Sequence, residues 1–395
     1  MKVLYVAIRG ELSEGSGVLK KIIAQVDGLN NCGVNTKGMI FYTKDPDKIS
    51  RQFHNNIIFH EIKYTHSFFQ KTWYKNLILY NKIIQEIQKE EFDLLYFRYP
   101  KASSQLLRLV KQFPFKIIFE HQTKELDEIK QTQGNSNKEY WVEKYLAPYI
   151  FGYVKGFVAV TNEIKRYERK RYSYYNSRNK KESLVLGNGM DVEKLPLRKV
   201  PPYDKAKLEL LFVGQIAPWH GVDRVIKGIA SYKGSVNITF HIVGTGNELK
   251  NLINLSKKLE LHDRVLFYEE LSGEQLDKLF NKCHIAVAPL ALYRKNLNES
   301  SALKTREYVA RGIPFITSHN DPDIKMKSSI RNYILRVNDN NEPIDIEEII
   351  QFTNRMYQID GFENHFREFA LRSIDMKIKM QRLKQFFEKC FIEEK

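Results

Sequence analysis

Cysteine is scarce in this chain of 395 residues: Cys32, Cys283 and Cys390 lie far apart and no Cys-x-x-Cys spacing occurs. That excludes a disulfide framework, a zinc knuckle and a dithiol redox site, and a reducing cytoplasm suits the three thiols. With only 20 glycines and 12 prolines, the chain is neither collagen-like nor of low complexity. Long apolar runs are missing too. The longest near-apolar stretch, Tyr145 to Val160, is interrupted by Pro148, Gly152 and Lys155, and it falls short of the ~20 residues that span a bilayer. At the start, the apolar run ends at Arg9 and Glu11 too soon for a secretory signal and reads as a first strand. Acid is also in deficit, with 47 Asp and Glu against 63 Lys and Arg, a net charge of +16. Such a surplus favours an anionic partner: nucleic acid, an anionic lipid surface or a phosphorylated substrate. No P-loop, His-Glu-x-x-His or Gly-x-Ser-x-Gly segment occurs, which disfavours a P-loop NTPase, a zinc protease and a serine hydrolase.

What is present is an alternation of short apolar runs with helical periodicity. Val3 to Ile8 is followed by Gly10, Gly15 and Gly17, then by Val18, Leu19, Ile22, Ile23, Val26 and Leu29 at helical spacing up to Cys32-Gly33. Further strands are expected at 39–42, 57–62, 94–99, 116–120, 157–161 and 184–186. The pattern breaks at Pro196, Pro201 and Pro202 and resumes with strands at 208–214, 238–244, 264–268, 285–290 and 314–317. The expected class is α/β, two doubly wound parallel-sheet domains, 1–197 and 205–360, facing each other across a cleft. A basic helical tail, 361–395, is expected to pack back across both. Ser272 with Gln275 reads as a capping box.

The chemistry concentrates between residues 298 and 315. This segment follows the strand that ends at Pro289-Leu290, so its loop and helix start belong to the ligand-binding edge. The backbone N–H groups of Ser301, Ala302 and Leu303 sit at that start, where the helix dipole favours a phosphate. Lys304 and Glu307 are three apart on one helix face. There they either form an ordinary surface ion pair or divide the work, the cation on a diphosphate and the carboxylate on ribose hydroxyls. Gly244 and Gly246 suit a strand-end turn that approaches a nucleotide closely. Asp321-Pro322-Asp323 fits an Asp-x-Asp metal pattern, but its polar, proline-containing context reads as a turn, and no metal site is assigned.

Glu299 and Glu307 form a Glu-x7-Glu spacing that runs into Tyr308-Val309-Ala310-Arg311-Gly312-Ile313-Pro314-Phe315. Together with Phe212-Val213-Gly214-Gln215, Trp219-His220-Gly221-Val222-Asp223, Ile242-Val243-Gly244-Thr245-Gly246 and Gly187-Asn188-Gly189-Met190-Asp191, this resembles the family 4 retaining glycosyltransferases of GT-B fold, the group 1 glycosyl transferases. Order and spacing agree from about residue 183 to 318. The resemblance implies Glu299 and His121 against the donor sugar, Glu307 on the ribose, and Gly15 and Gly17 against donor phosphate or acceptor. It implies that Lys304 and the helix start stabilise the leaving diphosphate. Gln215 and His220 replace the arginine and lysine usual in relatives, so more of that duty falls on Lys304, with Arg224 or His220 as further candidates.

Two basic-aromatic regions remain, Phe68 to Leu77 and Lys165 to Tyr175. Their interleaving suits an anionic membrane surface, and no nucleic-acid recognition motif accompanies the charge. The sequence therefore reads as a cytoplasmic, metal-independent enzyme, peripheral on the inner face of the membrane. It would transfer sugar from a nucleotide-diphosphate donor, a UDP-sugar favoured over a GDP-sugar, to a glycan or lipid-linked acceptor in bacterial-type surface polysaccharide synthesis. No cofactor is called for. The rivals are a nucleotide-sugar epimerase or hydrolase on the same fold, and a nucleic-acid-binding basic protein.

Overall fold

A computed structural model of the chain describes residues 1–10, 12, 16–45, 55–62, 71–133, 138–173, 181–325 and 328–392, with backbone alone at 71–77, 132–133 and 392. The chain divides into two compact units, Met1–Gly187 with Lys379–Lys395, and Asn188–Ile378. The first contains β1 (Lys2–Ile8), α1 (Gly17–Asn31), β2 (Asn35–Tyr42), β3 (Ile57–Glu61), α2 (Lys71–Lys89), β4 (Leu94–Arg98) and α3 (Ser104–Gln112). It continues through β5 (Ile117–His121), α4 (Glu125–Gln133), α5 (Lys138–Phe151), β6 (Gly156–Ala159), α6 (Asn162–Ser173) and β7 (Glu182–Val185).

These strands are parallel in the order β3-β2-β1-β4-β5-β6-β7, so the winding reverses between β1 and β4. Side chains alternate across a strand, and Leu4, Val6, Leu95, Phe97, Ile117 and Phe119 face one core with Leu106, Leu109, Ile150 and Phe151. The alternate set, Tyr5, Tyr96, Arg98 and Glu120, shares the opposite face by register. On that face α1 lies across the sheet, Tyr5 Oη donating to Gln25 Oε1 at 2.8 Å. Ser16 caps α1 by accepting the Leu19 N–H at 3.4 Å, and Gly33 at φ 81° ends it as the sequence predicts.

In the second unit β8 (Lys207–Val213), α7 (Val222–Ser231), β9 (Asn237–Val243), α8 (Leu249–Lys258), β10 (Val265–Tyr268) and α9 (Gly273–Lys282) come first. Then follow β11 (Ile285–Val287), α10 (Leu303–Arg311), β12 (Phe315–Thr317), β13 (Ile334–Arg336), α11 (Ile346–Met356) and α12 (Phe362–Phe369), and α13 (Met376–Ile392) starts here but belongs from Lys379 to the first unit. The parallel order is β10-β9-β8-β11-β12-β13, with its reversal between β8 and β11. Strands nearly continuous in Ile, Val, Leu and Phe, such as Leu208 to Phe212 and Ile285 to Val287, are buried on both faces, as covered parallel strands require.

The structure adds several details. β13 was not among the expected strands. Ser272 precedes α9 in extended backbone without a side-chain cap bond, so the capping box does not form. The proline-rich stretch is tied to the second unit, where buried Arg198 donates to the carbonyls of Gly312 and Cys283. The tail is two helices rather than one. A π-turn at Ala370–Ile374 ends at Asp375, which bridges to Met190, and α13 begins after it. Within the first unit Phe387 of α13 packs edge-on against Tyr96, at 5.2 Å between ring centroids. Among the described residues no helix is long and apolar enough to cross a membrane.

Candidate active site

Two strand-end turns meet at the reversal of the second sheet, and both depend on glycine. The Gly214 N–H donates to the Val243 carbonyl at 2.9 Å. A Cβ on Gly244 would lie 2.3 Å from the Gly214 carbonyl oxygen, and one on Gly246 2.1 Å from that of Ile216. All three have positive φ, 117°, 128° and 155°. Any side chain here would push the two turns apart.

Lys304 reaches into this junction from the first turn of α10. Its Cε would sit 3.4 Å from a Cβ on Gly214, and its Nζ lies 3.5 Å from the centroid of the Phe212 ring. The Nζ is buried without a hydrogen-bond partner, and burial pushes its pKa well below the usual lysine range. A dewatered ammonium held only by a ring face is a poor resting state and a ready anion receptor. Ala302 caps α10 in extended backbone with no side-chain cap, so the first-turn amides that begin at Leu303 stay available beside the lysine.

The surface ion pair between Lys304 and Glu307 is not formed. Glu307 Oε1 accepts from Arg311 Nε at 2.8 Å, while Arg311 also donates to Asp277 at 2.6 Å. Arg311 thus steadies the Glu307 carboxylate through one oxygen and leaves Oε2 as an acceptor. Glu299 is half-buried, and its loop is pinned to the segment after β12 through a bridge to Asn320. Gln215 is exposed.

His220 is not a cation here. Its Nδ1 accepts the Ala217 N–H at 3.3 Å, which puts the proton on Nε2. Burial, then the charges of Lys304 and Lys295, hold its pKa well below the usual value. Arg224 has a structural role, donating to the carbonyls of Glu342 and Leu290 and to Asn340 Oδ1. Before any ligand binds, neither side chain stands as a free cation at the junction.

Sequence reasoning passed over Arg306, which is fully buried behind the site. Its Nη1 and Nη2 grip Asp321 at 2.7 and 2.9 Å, Nη2 also reaches Asp323 at 2.9 Å and Ser301 Oγ at 2.6 Å, and Nε donates to the Asn188 carbonyl at 2.8 Å. Both carboxylates of the Asp-Pro-Asp turn therefore serve this guanidinium, and through it they fix Ser301 ahead of α10. Ser301 Oγ further accepts the Asn188 N–H at 2.7 Å. Paired acids in an otherwise featureless loop were the signal for a buried cation.

In the first unit Gly17 opens α1 at the surface, and Gly15 lies outside the described residues. His121 has no exposed surface: Nδ1 lies 2.9 Å from Glu125 Oε1, Nε2 3.4 Å from Tyr172 Oη, and Tyr99 covers the ring at 4.5 Å. In this conformation the imidazole offers no face to a sugar. With Glu125 and Glu168 it makes a metal-like trio, yet Arg171 already stands against both carboxylates, at 3.5 and 3.3 Å, and against Glu143 at 2.6 Å. The basic run of α6 is thus divided, with Arg171 turned inward while Arg166, Arg169 and Lys170 are exposed. Of the other region, Phe68 and Phe69 and the side chains of 71–77 lie outside the described residues, as do Tyr174 and Tyr175.

Two Rossmann-like parallel-sheet units, each with its reversal at a strand-end crevice, define the GT-B fold of glycosyltransferases. Residues 194–325, about a third of the chain, match the family model described as glycosyl transferases group 1. Over 132 residues the chain is 24% identical to an uncharacterized glycosyltransferase of Methanocaldococcus jannaschii, a match spanning 32% of each protein. Among solved structures it is similar to sucrose-phosphate synthase from Thermosynechococcus elongatus, with TM-score 0.72, 13% identity and 99% of each chain covered. HepE of Anabaena, solved with UDP and glucose, aligns with TM-score 0.66 and 15% identity over 98% of this chain and 100% of its own. The lipopolysaccharide outer core galactosyltransferase WaaB aligns with TM-score 0.63 and 17% identity over the whole of both chains.

Proposed function

We propose that the protein is a family 4 retaining glycosyltransferase that needs no divalent metal. It moves a sugar from a nucleotide-diphosphate donor, a UDP-sugar in preference to a GDP-sugar, to a glycan or lipid-linked acceptor in surface polysaccharide synthesis. The observation that carries this reading is Lys304: a buried, unpartnered ammonium beside the first turn of α10 and the Gly214 turn. Only an incoming anion completes that arrangement, and a diphosphate presents its oxygens to a cation and a helix start together. The UDP bound by HepE supports the choice of base.

Charge builds on the diphosphate as the bond to the sugar breaks, and Lys304 with the α10 amides is set to stabilise it there. Glu307, steadied by Arg311, accepts ribose hydroxyls, and Glu299 lies against the sugar. A diphosphate oxygen takes the proton of the attacking hydroxyl on the face it is leaving, which preserves the anomeric configuration without a protein nucleophile. A panel of UDP- and GDP-sugars tests this by thermal stabilisation. At 100 times its dissociation constant a true donor adds ~2.7 kcal/mol, about 5–10 °C for a unit of this size. No shift with any nucleotide sugar overturns the reading, and turnover lost in chelator but restored by Mg²⁺ overturns its metal independence.

A further inference from the structure

The first unit carries its own reversal, between β1 and β4, and the side chains at that edge are unusual. Arg9 follows β1, Arg98 ends β4 and Gln122 follows β5, and alternation along the register puts all three on the α1 face of the sheet. Below them, among the described residues, is one carboxylate, Glu120, fully buried and already engaged: it accepts from Lys21 Nζ at 3.0 Å and Gln25 Nε2 at 3.0 Å, with Tyr5 Oη 3.2 Å away. Arg98 approaches it only to 3.8 Å, beyond a hydrogen bond. Gln122 turns its carbonyl oxygen to Lys21 at 3.2 Å, which aims its amide NH₂ away.

Three buried donors are consequently left over at one place: Arg9 Nε, Arg98 Nη1 and Gln122 Nε2 make no hydrogen bond. Buried polar groups are normally satisfied, and leftover donors of one kind at one edge mark an acceptor yet to arrive. Charge gives the same answer. Among the described residues Lys21 and Arg98 face one carboxylate, Glu120, and Arg9 lies beside Arg98, a surplus of two positive charges. Burial and then the neighbouring Arg98 charge lower the Arg9 pKa. A phosphate monoester, with a charge of about −1.5 to −2 and oxygens that match forked guanidinium donors, balances that surplus. The edge is also the carboxyl side of a doubly wound sheet at its switch point, next to the start of α1, where such folds take their ligands.

We propose that Arg9, Arg98 and Gln122 form a phosphate-binding site that receives a phosphate group on the acceptor. Calling that molecule the acceptor rests on the transferase reading; the site itself does not. The acceptor class is therefore a sugar that carries a phosphate monoester, and the arginines position it through the phosphate rather than through the attacking hydroxyl.

The test titrates inorganic phosphate, at constant ionic strength, into the full chain carrying Lys304→Ala, so that the lysine site contributes nothing. Adding Arg9→Gln or Arg98→Gln should weaken phosphate binding at least about tenfold, as loss of a charge-assisted donor pair does. The same two substitutions with Lys304 intact should leave UDP affinity within about twofold. Phosphate affinity unchanged in Arg9→Gln overturns the site, and UDP affinity that falls in step with phosphate overturns its assignment to the acceptor. Should Arg98→Gln fail to fold, Arg9→Gln decides alone, because Arg9 lies past the strand end and no hydrogen bond of the fold depends on its Nε. If UDP does not bind the parent chain, the transferase reading fails while the phosphate titration still decides the site.

Discussion

The two sheets reverse at equivalent places and solve the same problem with opposite chemistry. At the β8/β11 edge the backbone does the work: three positive-φ glycines draw the turns together and a single lysine is buried against Phe212. At the β1/β4 edge side chains do it, with two arginines and a glutamine ranged over one saturated carboxylate. A glycine-lined crevice admits a flat nucleotide and touches it through amides that any chain possesses. An arginine-lined edge admits only what carries negative charge. On the reading proposed above, the second unit would supply the general donor chemistry and the first unit selectivity for the acceptor.

The sharpest way to break the comparison is Lys304→Met. Turnover should fall by about 10²–10³, yet the second unit should gain about 1–2 kcal/mol, because an unsatisfied buried amine is replaced by an apolar chain of similar length. Turnover at the parent rate, or loss of stability, contradicts the role given to the lysine. Kinetics and denaturant melts of one preparation read both.

Gly244→Ala should cost the second unit about 2–4 kcal/mol and weaken donor binding with it, since the new Cβ meets a backbone carbonyl at a φ that alanine avoids. A neutral substitution would show that the turns are not held by close approach.

In the first unit the expected effect is smaller and depends on pH. Burial raises the Glu125 and Glu168 carboxyls to about 7 and about 8. The folded chain then keeps protons that the unfolded chain has lost above about 4.5, so stability falls as pH rises toward 8. His121, held low by burial, works in the opposite sense, but only below its unfolded value of 6.5. Lys21 and Lys181, lowered by burial to about 8, also oppose the decline as pH nears 8, so the carboxyls dominate just above pH 6.5, where Glu168→Gln should remove most of the decline. Parallel melts across that window check it, and an unaltered slope counts against the assignment.

Smallest per residue should be the change on replacing Arg166, Arg169 and Lys170 with Ser, about 1 kcal/mol of affinity for anionic vesicles per exposed cation. Arg171 is left in place because it neutralises Glu125, Glu143 and Glu168. Equal sedimentation with neutral and anionic vesicles would exclude this face from membrane docking.

Much of this architecture was legible in the sequence, because covered parallel strands write themselves as short apolar runs between glycine turns. β13, at the edge of the second sheet, was not. The Glu299 to Glu307 spacing located α10 and Lys304, but Arg306 stayed hidden, since its partners Asp321 and Asp323 lie beyond β12 and only the fold brings them together. His121 shows the converse: its strand-end position suggested a sugar contact, while Glu125 four residues on and Tyr172 of the sequence-distant α6 enclose it. Arg9 and Arg98 look like ordinary strand-end residues until the fold sets them beside each other with donors unused.

The most direct test of the central claim follows the proton on Lys304. A lysine whose pKa is depressed by burial must take up a proton when an anion arrives beside it, as the paired ammonium regains its charge. Calorimetric titration of UDP at pH 8, in buffers of different ionisation enthalpy, counts that proton. Net proton uptake on UDP binding, abolished together with most of the affinity in Lys304→Met, is the predicted result. Binding without proton uptake, or equal affinity in the two proteins, would contradict the account.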